Sequence, residues 1–354
     1  MSGVRPHLVC SPGPRRGPTL GDQTMTQIAL RSLAPLAALA TYAFATTAMA
    51  DTEITVGHDW WVGYSGVFVA EDQGFFKDEG LDVTLQMFAS PSEALPPLIA
   101  GHVDIGMTTL HNLLLVAGTQ GQPFRVGYFL DASNGADAII AQSDFSSLAD
   151  LEGHKIAVNI GDLNHMFLIV ALEDVGMTEE DVDLVNMAPD AAGAAYMAGN
   201  VDAAVTWEPW LTRARQAGGN IVYSTAEPAA QNLILNGIVA TETFIEENPG
   251  VFESYIRAVA RGVAWMQEHP DEANEIVGRK LEVSADDTKA MVAADHIYDL
   301  EDNVAFFGEP GGVPPIRATM ERVLGFLQQR EMVTKPVDID TMIDRRFVDQ
   351  IAAE

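Results

Sequence analysis

The stretch Ala100-Gly101-His102-Val103-Asp104-Ile105-Gly106-Met107-Thr108-Thr109 returns later in the chain as Ala198-Gly199-Asn200-Val201-Asp202-Ala203-Ala204-Val205-Thr206-Trp207, with five of the ten positions identical. Each copy ends a helix on Ala-Gly, turns, and enters an apolar strand that reaches a threonine hydroxyl. The repeat suggests two lobes built on one plan. A chance likeness between two common helix-Gly-strand turns is the alternative.

Outward from these two copies, short apolar runs alternate with amphipathic stretches, the pattern of βαβ units and a mostly parallel sheet. Ile54-Thr55-Val56-Gly57 opens the series, followed by a helix carrying Phe68, Val69, Phe75 and Phe76. Further strands are expected at Val83–Met87, Val103–Met107, Val126–Leu130, Ala138–Ala141, Ile156–Val158, Leu184–Met187, Ala203–Thr206 and Gly237–Ala240. Polar breaks at Asp131–Gly135 and around Gln231–Asn236 are the best points for the chain to cross between lobes. The first lobe then takes residues 51–132 and 237–354, and the second takes 133–236. Residues Val251–Glu268 put Phe252, Tyr255, Ile256, Val259, Val263 and Met266 on one helical face, and Pro270 follows.

The N-terminus reads as an export signal. Arg31 precedes the apolar run Ser32–Ala40, and the small-residue sequence Ala48-Met49-Ala50 supplies an A-x-A cleavage site. Met25 starts a signal peptide of ordinary length, residues 25–50, which makes residues 1–24 an upstream extension. The apolar run is shorter than the ~20 residues that span a bilayer, so no direct membrane insertion is expected. Cys10, the only cysteine, falls before the cleavage point, and the exported chain relies on its hydrophobic cores. A periplasmic location fits best.

The chain carries a formal charge of −30. Removal of residues 1–50 takes away Arg5, Arg15, Arg16, Arg31 and Asp22 and leaves 16 basic against 49 acidic residues, a net −33. Such a field repels nucleic acid and anionic membranes, so neither is expected as a partner. A monomer is expected.

Four segments, in order, resemble the nitrate, sulfonate, taurine and thiamine-pyrimidine (SsuA/THI5-like) family of solute-binding proteins. They are Val69-Ala70-Glu71-Asp72-Gln73-Gly74-Phe75-Phe76-Lys77-Asp78-Glu79-Gly80-Leu81-Asp82-Val83, Ala100–Gly106, Asp150-Leu151-Glu152-Gly153-His154-Lys155-Ile156-Ala157-Val158, and Val201–Trp210. The resemblance implies an α/β type II periplasmic-binding fold, two lobes joined by two crossovers, with a small-molecule ligand gripped in the cleft between them. It also implies a membrane permease and ATPase of an ABC importer as partners.

In open α/β sheets ligands sit beyond the carboxyl ends of the strands, so the residues after each strand are the site candidates. These are Asp59, Trp60, Trp61, Ser92, Thr108, Thr109, Asp131, Asn164, His165, Trp207 and Glu208. Trp60, Trp61, Trp207 and Trp210 all lie at expected strand ends, where an indole offers a flat apolar wall and one N–H. Trp60 and Trp207 are the preferred contacts, and one member of each pair is expected only to cap the core. Ser92, Thr108 and Thr109 suit a sulfonate or carboxylate, or else cap helices. Asp59, Asp131, Asp137, Asp162 and Glu208 would favour an amine or amidine if buried beside a ligand, although Asp162 and Glu208 also suit helix first turns.

Taurine or another organosulfonate is the leading ligand expectation. A thiamine-pyrimidine-like or other amine-bearing heterocycle is the alternative. A ligand-presenting sensory protein and a pyrimidine-synthase-like enzyme are the competing classes. The synthase's cysteine-rich motif is missing, and the histidines, among them His58, His102, His111 and His165, lack ligand spacing. No catalytic residue, metal or cofactor is expected.

Overall fold

The computed structural model describes residues 51–121 and 123–354 and arranges them around two mixed sheets. The expected extension, signal peptide and Cys10 lie outside the described residues. The strands are β1 (Thr52–His58), β2 (Leu81–Met87), β3 (Ile105–Thr109), β4 (Phe124–Ser133), β5 (Asp137–Ala141), β6 (Lys155–Val158), β7 (Asp183–Asn186), β8 (Ala203–Trp207), β9 (Asn220–Ser224), β10 (Leu235–Thr241) and β11 (Asp295–Ile297). The first sheet has the order β11-β4-β10-β3-β1-β2, the second β7-β6-β8-β5-β9. The chain therefore passes from the first sheet to the second between β4 and β5, and returns between β9 and β10.

The two sheets share a plan. In the first, β1 lies parallel between β2 and β3, and β10 runs antiparallel beside β3. In the second, β6 lies parallel between β7 and β8, and β5 runs antiparallel beside β8. The repeated decapeptides enter β3 and β8, which hold equivalent places. Their side chains do equivalent work: Asp104 accepts from the Thr55 N–H at 2.8 Å and Asp202 from the Lys155 N–H at 2.9 Å. The Thr108 hydroxyl donates to the Pro91 carbonyl at 3.0 Å and the Thr206 hydroxyl to the Pro189 carbonyl at 3.1 Å. Gly101 and Gly199, both at positive φ, make the turns that release the chain into the strands.

Every residue of β3, β5 and β8 is buried, as expected of strands covered on both faces. Most expected strands change by a residue or more at their ends, and three of these shifts bear on the site. The one placed at Val103–Met107 begins at Ile105 and runs through Thr109, because Asp104 is spent on the Thr55 anchor, with its own N–H donating to the Thr55 carbonyl at 2.9 Å. The one placed at Gly237–Ala240 begins at Leu235, which brings Asn236 into the sheet. The one placed at Ala138–Ala141 begins at Asp137. β9 and β11, at the sheet edges, have no counterpart in the expected set.

The helix Pro249–Glu268 packs Phe252, Tyr255, Ile256, Val259 and Val263 into the core. It crosses the helix Ser65–Asp72 at a glycine contact: a Cβ on Gly262 would lie 2.1 Å from the Gly66 carbonyl oxygen. That crossing holds the Trp60–Tyr64 segment, which precedes Ser65, against the first sheet.

Candidate ligand cleft

The carboxyl ends of strands from both sheets meet around a narrow cavity of about 10 Å³. The walls are Asp59, Trp61 and Tyr64 after β1, Pro91 after β2, Thr109 at the end of β3, Asp137 at the start of β5, Leu163 after β6, Trp207 at the end of β8, and Ile234 and Asn236 on the return to β10. A larger and more open groove runs along the crossovers past Ser133, Asn134, Gln231, Asn232, His296 and Phe306. None of its lining residues carries a buried polar atom that lacks a partner, whereas the inner cavity is lined by several. Buried polar groups are ordinarily satisfied, so the inner cavity is the candidate site.

Pairing across β3, β10 and β4 sets Thr109, Asn236 and Asp131 in one row. The Asn236 amide and the Trp61 indole both donate to Asp131 Oδ1, each at 3.0 Å. The Tyr64 hydroxyl donates to Asn236 Oδ1 at 3.3 Å and also lies beside Asp59. Gly63 makes room for this network, since a Cβ there would stand 2.2 Å from Trp61 Nε1 and 2.3 Å from the Asp131 carboxyl. On the other side, β5 pairs Asp137 directly with Trp207 of β8.

Three carboxyls converge here, and all are buried. Burial is the leading cause that raises each above the usual carboxylate range, and neighbouring acids add to it for Asp59 and Asp137. Asp59 is pushed up to about 7, with Asp162 and Asp131 adding repulsion, against hydrogen bonds that pull it down. Asp137 is pushed up to about 8, opposed by Ser133 and reinforced by Asp131, Asp59 and Glu208. Asp131 is raised by burial, opposed by Asn236 and Trp61. Asp295 on β11 is raised as well, by burial and then by Asp131 and Asp137. Asp59 Oδ1, Asp131 Oδ2, Asp137 Oδ2 and Trp207 Nε1 have no hydrogen-bond partner among the described residues.

The other expected site residues divide. Trp60 lies outside the cavity, half-buried against the core, and it is Trp61 that faces inward. Trp210 also lies outside, under the Arg213 guanidinium at 4.4 Å. Ser92 donates to Asp162 Oδ2 at 3.1 Å and so ties the loop after β2 to the loop after β6. The Thr108 hydroxyl fixes the Pro91 loop, and Thr109 caps the helix Leu110–Gln120 by accepting from the Asn112 N–H. Asn164 is fully buried, with neither amide atom partnered among the described residues. His165 accepts from the Gly161 N–H and donates through Nε2 to Glu179 at 2.6 Å, away from the cavity. Glu208 accepts from the Thr212 N–H and hydroxyl, the first-turn role that competed with ligand contact. Tyr64, Pro91, Leu163, Ile234 and Asn236 were not expected. The Gly63-Tyr64 step beside two tryptophans was the available signal for Tyr64.

Comparison with known proteins places this geometry. The sequence model of a family described as NMT1/THI5 like matches residues 61–273. The chain is 28% identical over 223 residues to the taurine-binding periplasmic protein of Escherichia coli, covering 63% of this chain and 68% of that one. It is 25% identical over 230 residues to the formylaminopyrimidine-binding protein of Halalkalibacterium halodurans, covering 62% and 68%. Among solved structures, the periplasmic aliphatic sulphonate binding protein SsuA of Escherichia coli superposes with a TM-score of 0.69 at 18% identity, over 84% of this chain and 99% of that one. The desulfurization enzyme DSZB superposes with a TM-score of 0.65 at 16% identity, over 85% and 99%. The two-sheet α/β architecture is therefore that of the periplasmic binding proteins, a fold that also includes an enzyme.

Proposed function

The chain belongs to the NMT1/THI5-like family, and from that premise we propose that it is the substrate-binding protein of an ABC importer, which captures a small organic solute by lobe closure and delivers it to a permease driven by an ATPase. One observation carries the reading: the cavity is walled from both sheets, with orphaned polar atoms from each, so a solute there bridges the two halves. The first lobe is assigned residues 51–132 and 237–354, and the second 133–236. The segments near Ser133 and Asn232 act as the hinge. The exported form begins after Ala50 and works in the periplasm as a monomer.

Binding favours this over catalysis. The two sequence relatives named above are binding proteins, while the enzyme among the similar structures shares the fold at 16% identity, and chemistry that needs a cysteine would have to use Cys10, which lies ahead of the proposed cleavage point. The relatives' ligands, taurine and formylaminopyrimidine, fall on both sides of the choice between an organosulfonate and an amine-bearing heterocycle. Family membership does not make that choice.

The test is native mass spectrometry of residues 51–354 purified from the periplasm, together with small-angle scattering before and after the protein is stripped by unfolding and refolding. A bound small molecule, and a smaller radius of gyration with it than without it, are expected. A protein that carries nothing, and whose radius is unchanged by any added solute of the taurine, alkanesulfonate, nitrate, aminopyrimidine and amine classes, defeats the reading.

A further inference from the structure

We propose that the cavity takes an organic cation, a protonated amine or amidine on a small flat body, held by Asp59 and Asp137 between Trp61 and Trp207. The proposal rests on the binding-protein reading and names its substrate class.

The argument is one of donors and acceptors. Asp59, Asp131 and Asp137 each keep one oxygen unpartnered among the described residues. The partners they do have are neutral: Trp61 and Asn236 for Asp131, Tyr64 for Asp59, and Ser133 for Asp137. No Lys or Arg lines the cavity, and no basic group figures among the influences on these three carboxyls. A buried carboxylate without a counter-charge is strongly disfavoured, and a cation in the cavity supplies one. Asp59 comes from the first sheet and Asp137 from the second, so the same cation joins the halves it must close.

An anion finds little there. Two of the donors nearest the cavity, the Trp61 indole and the Asn236 amide, are already spent on Asp131. The two helix N-termini beside it are capped from within, one by Thr109 and the other by the Asp162 carboxylate. The orphaned Trp207 Nε1, a donor only, calls for one acceptor on the ligand, such as a ring nitrogen or a carbonyl oxygen. The cavity as it stands is about 10 Å³, room for about one water, against a usual ligand-pocket range of roughly 300–1,000 Å³, so the two halves must part to admit a ligand and its body must be small.

The test uses stripped protein at pH 7.5 and an isosteric series that differs in charge: benzamidinium, benzamide and benzoate, with taurine alongside. Benzamidinium is expected to give a saturable rise in melting temperature, and benzoate and taurine none. Asp137→Asn is expected to weaken benzamidinium binding at least tenfold while its ligand-free melting temperature stays at or above the wild-type value. A shift from benzoate or taurine equal to or larger than that from benzamidinium overturns the proposal, as does unchanged benzamidinium affinity in Asp137→Asn. The compound released from natively purified protein is a second readout: a basic nitrogen supports the proposal, and a sulfonate or neutral compound overturns it. An anion bound in the cavity sinks only the charge assignment. A chain that binds nothing of any charge sinks the binding-protein reading itself.

Discussion

The ligand-free protein should lose stability as pH rises through neutrality, and Asp137 is the residue through which to see it. Its carboxyl moves from an ordinary value of 3.8 to about 8 on folding. A folded-state value above the unfolded one means that the folded protein binds the extra proton. The associated stability is fully present below about pH 4 and is lost as pH climbs to about 8. About four units correspond to roughly 6 kcal/mol at about 1.4 kcal/mol per unit, a ceiling because the cleft can open and hydrate the group. A third of that, about 2 kcal/mol, lowers the melting temperature by about 3 °C in a protein of this size, at about 2.1 cal/mol/K of unfolding entropy per residue. Asp59, raised to about 7, adds in the same direction. Glu179 and Asp299 are held below their ordinary values, so their contributions change only at more acidic pH. Burial lowers His58 and His111 below 6.5, so both add stability as pH rises through that value and oppose Asp137 in the lower half of the window. The assay is calorimetry of stripped wild type and Asp137→Asn between pH 5 and 9. The histidines are common to both proteins, so the difference is the readout: the Asn variant, which has no proton to lose at this position, should gain on wild type as pH rises, and the gap should widen. A gap that does not widen from pH 5 to 9 would refute the reasoning, as would a variant less stable than wild type at pH 8.

Three further outcomes can be checked. Trp207→Ala removes one cavity wall and an orphaned donor; ligand binding should fall at least tenfold while the far-ultraviolet circular dichroism is unchanged, and retained affinity counts against the cleft assignment. Gly262→Ala forces a methyl to within 2.1 Å of the Gly66 carbonyl, so the two helices must separate; thermal unfolding should register a loss of about 1–3 kcal/mol, and an unchanged melting temperature would mean that the crossing is looser than described. Arg330 on the helix Ile316–Gln329 reaches Glu179 at 2.5 Å and Glu173 at 3.6 Å, on the other side of the cleft. As a partly exposed pair it contributes about 0.2–1 kcal/mol. Arg330→Gln should therefore weaken ligand affinity by no more than about fivefold, in titration calorimetry at low salt, with the cavity untouched.

How much of this could be read from the sequence depends on the range of the contacts involved. The alternation of strands and helices is local, and it gave the α/β class but a mostly parallel sheet; five of the nine strand pairings among the described residues are antiparallel, four of them because β5 and β10, which follow the crossovers between sheets, run against their neighbours. The repeated decapeptide carried further than its five identities suggest, because the threonine and aspartate in each copy make the same hydrogen bonds in both sheets. The rule that sites follow strand ends brought Asp59, Trp61, Thr109 and Trp207 to the cavity. It could not separate Trp61 from Trp60, since adjacent residues after a strand point in opposite directions and the turn into Val62–Tyr64 decides which one faces inward. Asn236 was hidden by a two-residue error in where β10 begins, enough to leave it in a loop instead of the row between Thr109 and Asp131.

The carboxyl cluster was legible only in part, for a reason that bears on function. Asp59, Asp131 and Asp137 could be named from their places at strand ends, together with Asp162 and Glu208, but Asp295 could not, and nothing local says which of these acids meet. Antiparallel pairing brings Asp137 beside Trp207, β11 lays Asp295 against Ser133, and β10 sets Asn236 against Asp131. None of these registers can be read from spacing. A fold selected for stability alone would not collect three buried acids at one point without a base among them; neutral side chains would pack there at less cost. Their retention makes sense if the closed form is stable only when something positive lies between them. On that logic the unliganded cleft closes only with protons taken up on these acids, and a ligand's positive charge, by taking the place of those protons, couples binding to the closed shape.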